Sequence, residues 1–329
     1  MSTLPNQTQE TLAPFEKEGI GNIDMKACPL CQAKRSVFER ELNHFTLLKC
    51  DSCSFVYADI ADERIMRANS NYDAKASTFY DLQQTYLDDL WFLQIARRFT
   101  KKLGSGRVLD VGCGNGRLLR HFRRLHWECW GIDTSPWSKG FAEQHGFTLR
   151  QGTIEDLAPG MDPFDLVVSS STLEHIAQPL LHAKSIARVL KEKGCAYFCG
   201  IPNYASLSVR LGFSSFSCNT PPEHVSYFTP KTVKRLFASA DIPFHQITIR
   251  TYGLPEIHRV YRALISFSNT SACSPEKRPA KISPHQEKPT SSTFTSKVRR
   301  FCYQIGLGAF YNFGRIGSLG DKLEILIRK

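Results

Sequence analysis

The stretch Val108-Leu109-Asp110-Val111-Gly112-Cys113-Gly114-Asn115-Gly116 joins an apolar run to three glycines at alternate positions. A helical pattern follows at once, with Leu118, Leu119, Phe122 and Leu125 on one face and Arg117, Arg120 and Arg124 on the other. Strand, glycine turn and helix together make the opening unit of a nucleotide-type α/β site, because glycine lets the backbone come close to a ligand. The spacing is G-x-G-x-G and departs from the dinucleotide pattern, whose third glycine position holds Arg117. Asp110, two residues before the turn, would repel a pyrophosphate but suits an ammonium group. S-adenosylmethionine (SAM) carries a nucleoside, an amino-acid end and no phosphate, so this pattern favours SAM over NAD. Asp133 ends the next apolar run, Glu128-Cys129-Trp130-Gly131-Ile132-Asp133. A carboxylate at the tip of a second strand accepts both hydroxyls of a ribose.

A second constellation lies upstream. Cys28, Cys31, Cys50 and Cys53 form two C-x2-C pairs. Each pair presents two thiolates on one tight turn, and two such turns complete a closed, tetrahedral zinc site, with a redox pair or chance spacing as the alternatives. A segment this short has little core, so metal binding would supply folding energy on the order of 10 kcal/mol or more. A closed site has no open position for catalysis. The other seven cysteines show no ligand spacing and read as reduced thiols.

The elements that must position these residues are legible in outline. The 329 residues have ordinary apolar (42%) and charged (22%) content for a globular chain, with a formal net charge of +11. No run approaches membrane-spanning length and residues 1–24 lack a secretion signal's apolar core, which predicts a cytoplasmic protein. Residues 1–24 are polar and aperiodic and read as a mobile N-terminus, followed by a zinc-ribbon module over 25–60. Residues 79–102 carry a helical period leading into the glycine turn, with Tyr72 and Tyr80 near its start. A helix from Pro136 to Gly146, a buried parallel strand at Phe164–Ser169, a helix over 179–193 capped by Gly194, and a strand at Cys195–Ile201 come next. Thr229 and Pro230 open a further helix, and a sixth strand is expected at about 244–251. A Ser-, Thr-, Pro- and Lys-rich stretch at about 268–298 reads as a flexible insertion, with an aromatic segment over 298–315. The tail at 320–329 alternates as a seventh strand beside the sixth.

Taken together, 108–201 resembles a class I SAM-dependent methyltransferase, through V-L-D-V-G-C-G-N-G, W-G-I-D at 130–133, the G-T-I-E-D-L turn at 152–157, and F-D-L-V-V-S-S-S-T-L-E-H at 164–175. The resemblance implies an α/β, Rossmann-like, seven-stranded sheet in the order 3-2-1-4-5-7-6, spanning 75–329. Asp110, Gly112, Gly114 and Gly116 would hold the methionine portion and Asp133 the ribose. Ile154 would pack on adenine with Glu155 nearby, and Ser170 completes the cofactor-binding set. Many relatives have an acid for the adenine amine where this chain has Thr153. The four-cysteine module with Glu223-His224-Val225-Ser226-Tyr227-Phe228 is similar to deoxysugar C-methyltransferases, which carry a further large C-terminal domain. Leu173-Glu174-His175 looks like the ubiquinone-type O-methyltransferases, some of which hold a divalent ion with a Glu where this chain has Ser171. Glu174 and His175 are expected to cap the next helix or line the acceptor pocket.

A hydroxyl acceptor must lose its proton as the methyl bond forms, and histidine has the pKa suited to that task. His224 is the candidate base, with Glu223 to orient it and Tyr227 to bind the acceptor; a histidine that merely structures the Pro-Pro turn is the alternative. Amino-group methylation is disfavoured, because Ser169-Ser170-Ser171-Thr172 stands where enzymes for planar amines carry Asn/Asp-Pro-Pro-aromatic. The expected activity is methyl transfer to a hydroxyl or activated carbon of a small metabolite, plausibly a sugar or nucleotide-sugar. RNA as acceptor, through the ribbon and basic surface, and a non-catalytic SAM-binding scaffold remain open.

Overall fold

The computed structural model describes residues 27–60, 86–157, 161–211, 221–240, 245–253 and 319–329. Tyr72, Tyr80, the 1–24 segment, the expected insertion and the aromatic 298–315 segment lie outside the described residues.

Seven strands form the central sheet: β4 (Arg107–Val111), β5 (Glu128–Asp133), β6 (Thr148–Gln151), β7 (Phe164–Ser170), β8 (Leu190–Pro202), β10 (Gln246–Tyr252) and β11 (Lys322–Arg328). Their spatial order is β10-β11-β8-β7-β4-β5-β6, which is the expected 3-2-1-4-5-7-6 read from the other edge. β4 to β8 pair in parallel, whereas β11 runs antiparallel to both β8 and β10. Strand alternation sends side chains to two cores. Val108, Leu166 and Val168 join Phe99 of α1 (Tyr86–Leu103) and Leu119 and Phe122 of α2 (Arg117–Arg124). Leu109, Val111 and Val167 join Val233, Leu236 and Phe237, which lie on the helix Pro230–Ser239. Both faces are covered, as a parallel sheet demands.

One element differs from the sequence reading. The helix α3 (Pro179–Val189) stops four residues early, and β8 begins at Leu190. Leu190 is buried and pairs with Phe164, so sheet pairing overrides the helical propensity of Leu-Lys-Glu-Lys. Gly194 lies inside β8, where an added Cβ would sit 2.8 Å from the Lys191 carbonyl oxygen.

A four-stranded sheet holds the cysteine module: β1 (Ser36–Leu42), β2 (Phe45–Cys50), β3 (Val56–Ala58) and β9 (Ser226–Tyr227). β9 comes from the far part of the chain, with Val56 paired to Tyr227 and Tyr57 to Ser226. Phe55 packs on Phe228 at 5.1 Å between ring centroids, and both rings are fully buried. The module's Leu30, Leu48 and Phe55 therefore share a core with Val111 and Phe198 of the large sheet. Burying each of these phenylalanines contributes about 1.5–3 kcal/mol, and the ring pair adds about 0.5–1.5 kcal/mol.

Candidate active site

The cofactor side is built at the C-terminal ends of β4 and β5. Gly112, Gly114 and Gly116 all have positive φ (75°, 50° and 69°), the left-handed region that glycine enters without steric cost. Space imposes the same choice at two of them. A Cβ on Gly112 would meet the Thr172 hydroxyl at 2.4 Å, and one on Gly116 would meet the Phe147 ring at 2.2 Å. The turn is closed by Asp133: Gly114 N–H donates to one carboxylate oxygen at 2.7 Å and Ser135 N–H to the other at 2.8 Å. Each oxygen keeps acceptor capacity for a further donor.

Asp110 is 4% exposed, and its Oδ1 has no hydrogen-bond partner. Burial, with the Asp133 charge beside it, pushes the Asp110 carboxyl up to about 8. A buried acceptor left without a donor is costly, and an ammonium group placed there would satisfy it. This orphaned oxygen at the mouth of a glycine turn fits the amino-acid end of SAM.

Ile154 is buried in the one-turn 3-10 helix Ile154–Asp156. Glu155 is engaged elsewhere than expected: its Oε1 pairs with His182 Nδ1 of α3 at 2.9 Å. Burial alone would raise the Glu155 carboxyl, but the His182 hydrogen bond and charge outweigh it and hold the group below its ordinary value. Ser170 is half-buried at the end of β7, and its carbonyl accepts from the Thr172 hydroxyl at 3.2 Å. The same hydroxyl also reaches the Val111 carbonyl at 3.2 Å, tying the β7 loop to the cofactor turn.

The acceptor side starts from that loop. Directly after Thr172 comes the 3-10 turn Leu173–His175, and the 223–225 segment lies along it. Val225 N–H donates to the Glu174 carbonyl at 2.9 Å, and His175 Nδ1 bonds the Glu223 carbonyl at 2.9 Å. The His175 and His224 rings meet edge to face at 4.8 Å, and the ligand atoms of Glu174, His175 and His224 all lie within 4.8 Å of one another. Glu174 is 3% exposed, its Oε2 has no hydrogen-bond partner, and burial raises its carboxyl. One carboxylate with two imidazoles at this separation is a proton-handling group, and equally the donor set of a divalent-cation site.

Two expected catalytic residues stand differently from the sequence reading. The carboxylate beside His224 belongs to Glu174, while Glu223 touches the cluster through its backbone carbonyl. Tyr227 faces inward: it is 3% exposed, packs on Tyr204 at 5.3 Å, and its hydroxyl donates to the His224 carbonyl at 3.0 Å. As the second residue of the two-residue strand β9 it pairs with Val56 of the module, so it shapes the loop that carries His224. The sequence signal for Glu174 and His175 was their place just after a buried strand. Their approach to His224 depends on a contact across about fifty residues that no local pattern encodes.

In the cysteine module, Cys28 Sγ lies 3.7 Å from Cys53 Sγ, and Cys31 Sγ lies 3.6 Å from Cys50 Sγ. Four sulfurs around a tetrahedral ion with bonds of about 2.3 Å would stand about 3.8 Å apart, so the quartet fits zinc. Cys113, Cys129, Cys195 and Cys199 are buried free thiols.

Residues 83–242 match the profile of a family described as a methyltransferase domain. Among curated relatives, it is 35% identical over 113 residues to a ubiquinone biosynthesis O-methyltransferase of Cereibacter sphaeroides, covering 31% of this chain and 46% of that protein. It is 33% identical over 140 residues to the protein of the same description from Alkalilimnicola ehrlichii, covering 39% and 57%. The chain thus spans about half the length of these relatives. A solved SAM-dependent methyltransferase from Thermotoga maritima superposes with a TM-score of 0.48 at 16% identity, covering 80% of this chain and 99% of that one. Among the described residues no helix is long and apolar enough to cross a membrane.

Proposed function

We propose that this chain transfers the methyl group of SAM to a hydroxyl or activated carbon of a small metabolite, with a sugar or nucleotide-sugar as the acceptor class. The observation that carries the reading is the buried, unpartnered Asp110 oxygen at the glycine turn, next to the loop that bears the Glu174–His175–His224 cluster. When bound, the sulfonium supplies an electrophilic methyl group. The protein's share is alignment, exclusion of water and proton handling. Asp110 takes the ammonium, Asp133 takes the ribose diol while holding the turn, and Ile154 lines the base. His224 accepts the acceptor's proton at an imidazole nitrogen, and the Glu174 carboxylate stabilises the cation that results. Cys28, Cys31, Cys50 and Cys53 hold a structural zinc that fixes the module against which β9 pairs.

The test is release of S-adenosylhomocysteine by the full chain against pooled sugars, nucleotide-sugars, phenolics and RNA. Turnover with the sugar pools, lost in His224→Ala with SAM affinity retained, supports the reading. Turnover with RNA alone would replace the acceptor class. SAM binding without turnover on any pool would favour a scaffold, and retention of NAD with no SAM binding would overturn the whole assignment.

A further inference from the structure

Away from the cofactor turn, a cavity of about 240 Å³ opens between the C-terminal half of α1 and the outer strands β10 and β11. Register explains its lining. Gln246 pairs with Arg328, Thr248 with Leu326 and Arg250 with Glu324, so the even-numbered residues of both strands share one face. The odd-numbered Leu323, Ile325 and Ile327 are fully buried on the other face. Arg98 and Lys102, one helical turn apart on α1, form the opposite wall.

The lining is strongly one-sided in charge. Four cations, Arg98, Lys102, Arg250 and Arg328, face a single carboxylate, Glu324. That carboxylate is 2% exposed and already paired with Arg98. Lys102, Arg250 and Arg328 have no carboxylate partner among the described residues, and Thr248 and Gln246 add neutral donors to the floor. Burial, then the Arg328 charge, lowers the Lys102 ammonium below its ordinary value, with Cys195 opposing. A sheet face left to solvent is ordinarily polar with both signs interspersed. Three cations that are unpaired among the described residues and line one concavity are a donor array for oxygens.

We propose that Lys102, Arg250 and Arg328, with Arg98, Thr248 and Gln246, form a second binding site that takes the phosphate group of an anionic ligand. Arginine and lysine donors around a small cavity match phosphate oxygens, and the volume suits a headgroup-sized fragment rather than a whole metabolite. The site runs along the outer strands, from Arg328 at the end far from the glycine turn to Arg250 and Glu324, level with the last part of β8. Lys102 closes the helix that precedes β4, and Arg328 pairs with Cys195, whereas the cofactor turn follows the C-terminal end of β4. Its lining shares no residue with the glycine turn or with the Glu174–His175–His224 cluster, so it is a tethering or effector site. The shared chemistry is a phosphate group, borne by a soluble phosphorylated metabolite or by a phospholipid headgroup.

The experiment is titration calorimetry of the full chain with inorganic pyrophosphate at low ionic strength, repeated on the Lys102→Ala/Arg250→Ala double variant and on Arg124→Ala as a basic surface control. Both cavity residues are exposed, and a matching thermal melt shows that the double variant folds. Saturable one-to-one binding that weakens about tenfold or more in the double variant, and stays within about twofold in the control, supports the site. Absence of saturable binding, or equal weakening in the control, overturns it. Co-sedimentation with phosphatidylglycerol vesicles, competed by pyrophosphate, would assign the phosphate to a lipid. Pyrophosphate binding without vesicle binding would assign it to a soluble ligand.

Discussion

Asp110, the glycine turn and Asp133 are placed by neighbouring parallel strands that follow one another in the chain, and their mutual bonds are short-range in sequence. His224 is placed in another way. Its loop is held by Glu174 and His175 on one side and by the cysteine module on the other, where β3 pairs with β9 and Phe55 packs on Phe228. One half of the site is a local product of βα units, and the other is an interface between distant segments. The difference teaches that the two halves should fail separately: damage to the module should loosen the His224 loop and leave the glycine turn intact.

The largest effect expected is on the acceptor half. His224→Ala should lower turnover by about 10²–10⁴-fold, the range for loss of a general base, with SAM affinity within about threefold of the parent in calorimetry. Next comes Phe228→Ala, which empties a fully buried ring site and should cost about 3–5 kcal/mol in chemical denaturation. Hydrogen exchange would show whether the halves separate: the amides of Val225 and Ala58, which are bonded across the interface, should lose protection, while those of Gly112 and Gly114 keep theirs. Serine at Cys28 and Cys53 should reproduce that exchange pattern through loss of metal. Equal loss of protection in both halves would break the comparison.

A smaller effect is expected on the cofactor half. Asp110→Asn should weaken SAM binding by about 10–100-fold, the worth of a hydrogen bond to a charged group. Because the folded carboxyl sits at about 8, above its unfolded value near 4, its contribution to stability is fully present below about pH 4 and is lost as pH rises toward 8. The cofactor-free protein should thus lose stability over that window, and Asp110→Asn should flatten the slope. SAM binding at pH 7 should release close to one proton, read from calorimetry in buffers of different ionisation enthalpy. The smallest effect concerns Glu155. Glu155→Gln should cost about 1 kcal/mol near neutral pH. The depressed carboxyl contributes stability above its ordinary value that is lost as pH falls through the folded one, so the variant's acid limb should be shallower.

The same division separates what the sequence disclosed from what it did not. G-x-G-x-G after an apolar run, Asp133 at a strand tip and two C-x2-C pairs are local signals, and the strand order is what the resemblance carried by the 108–201 motifs implies. The helix over 179–193 was overextended because Leu190's pairing with Phe164 is a sheet contact invisible to a helical period. Residue type singles out His224, but not the groups that lie beside it in space. Glu223 is next to it in sequence, whereas Glu174 is next to it in space. Tyr227, read as an acceptor ligand, is a strand residue because β3 supplies its partner, and nothing within ten residues of it says so.

The pairing of Val56 and Tyr57 with residues 226–227 also has a consequence for biosynthesis. As the polypeptide leaves the ribosome, the ribbon's outer strand is complete long before the two residues that cover it exist, and its N–H and C=O groups face water as an open template for foreign strands. The nascent protein is therefore most prone to aggregate during synthesis of the large sheet, and a ribbon expressed alone would carry that bare edge permanently.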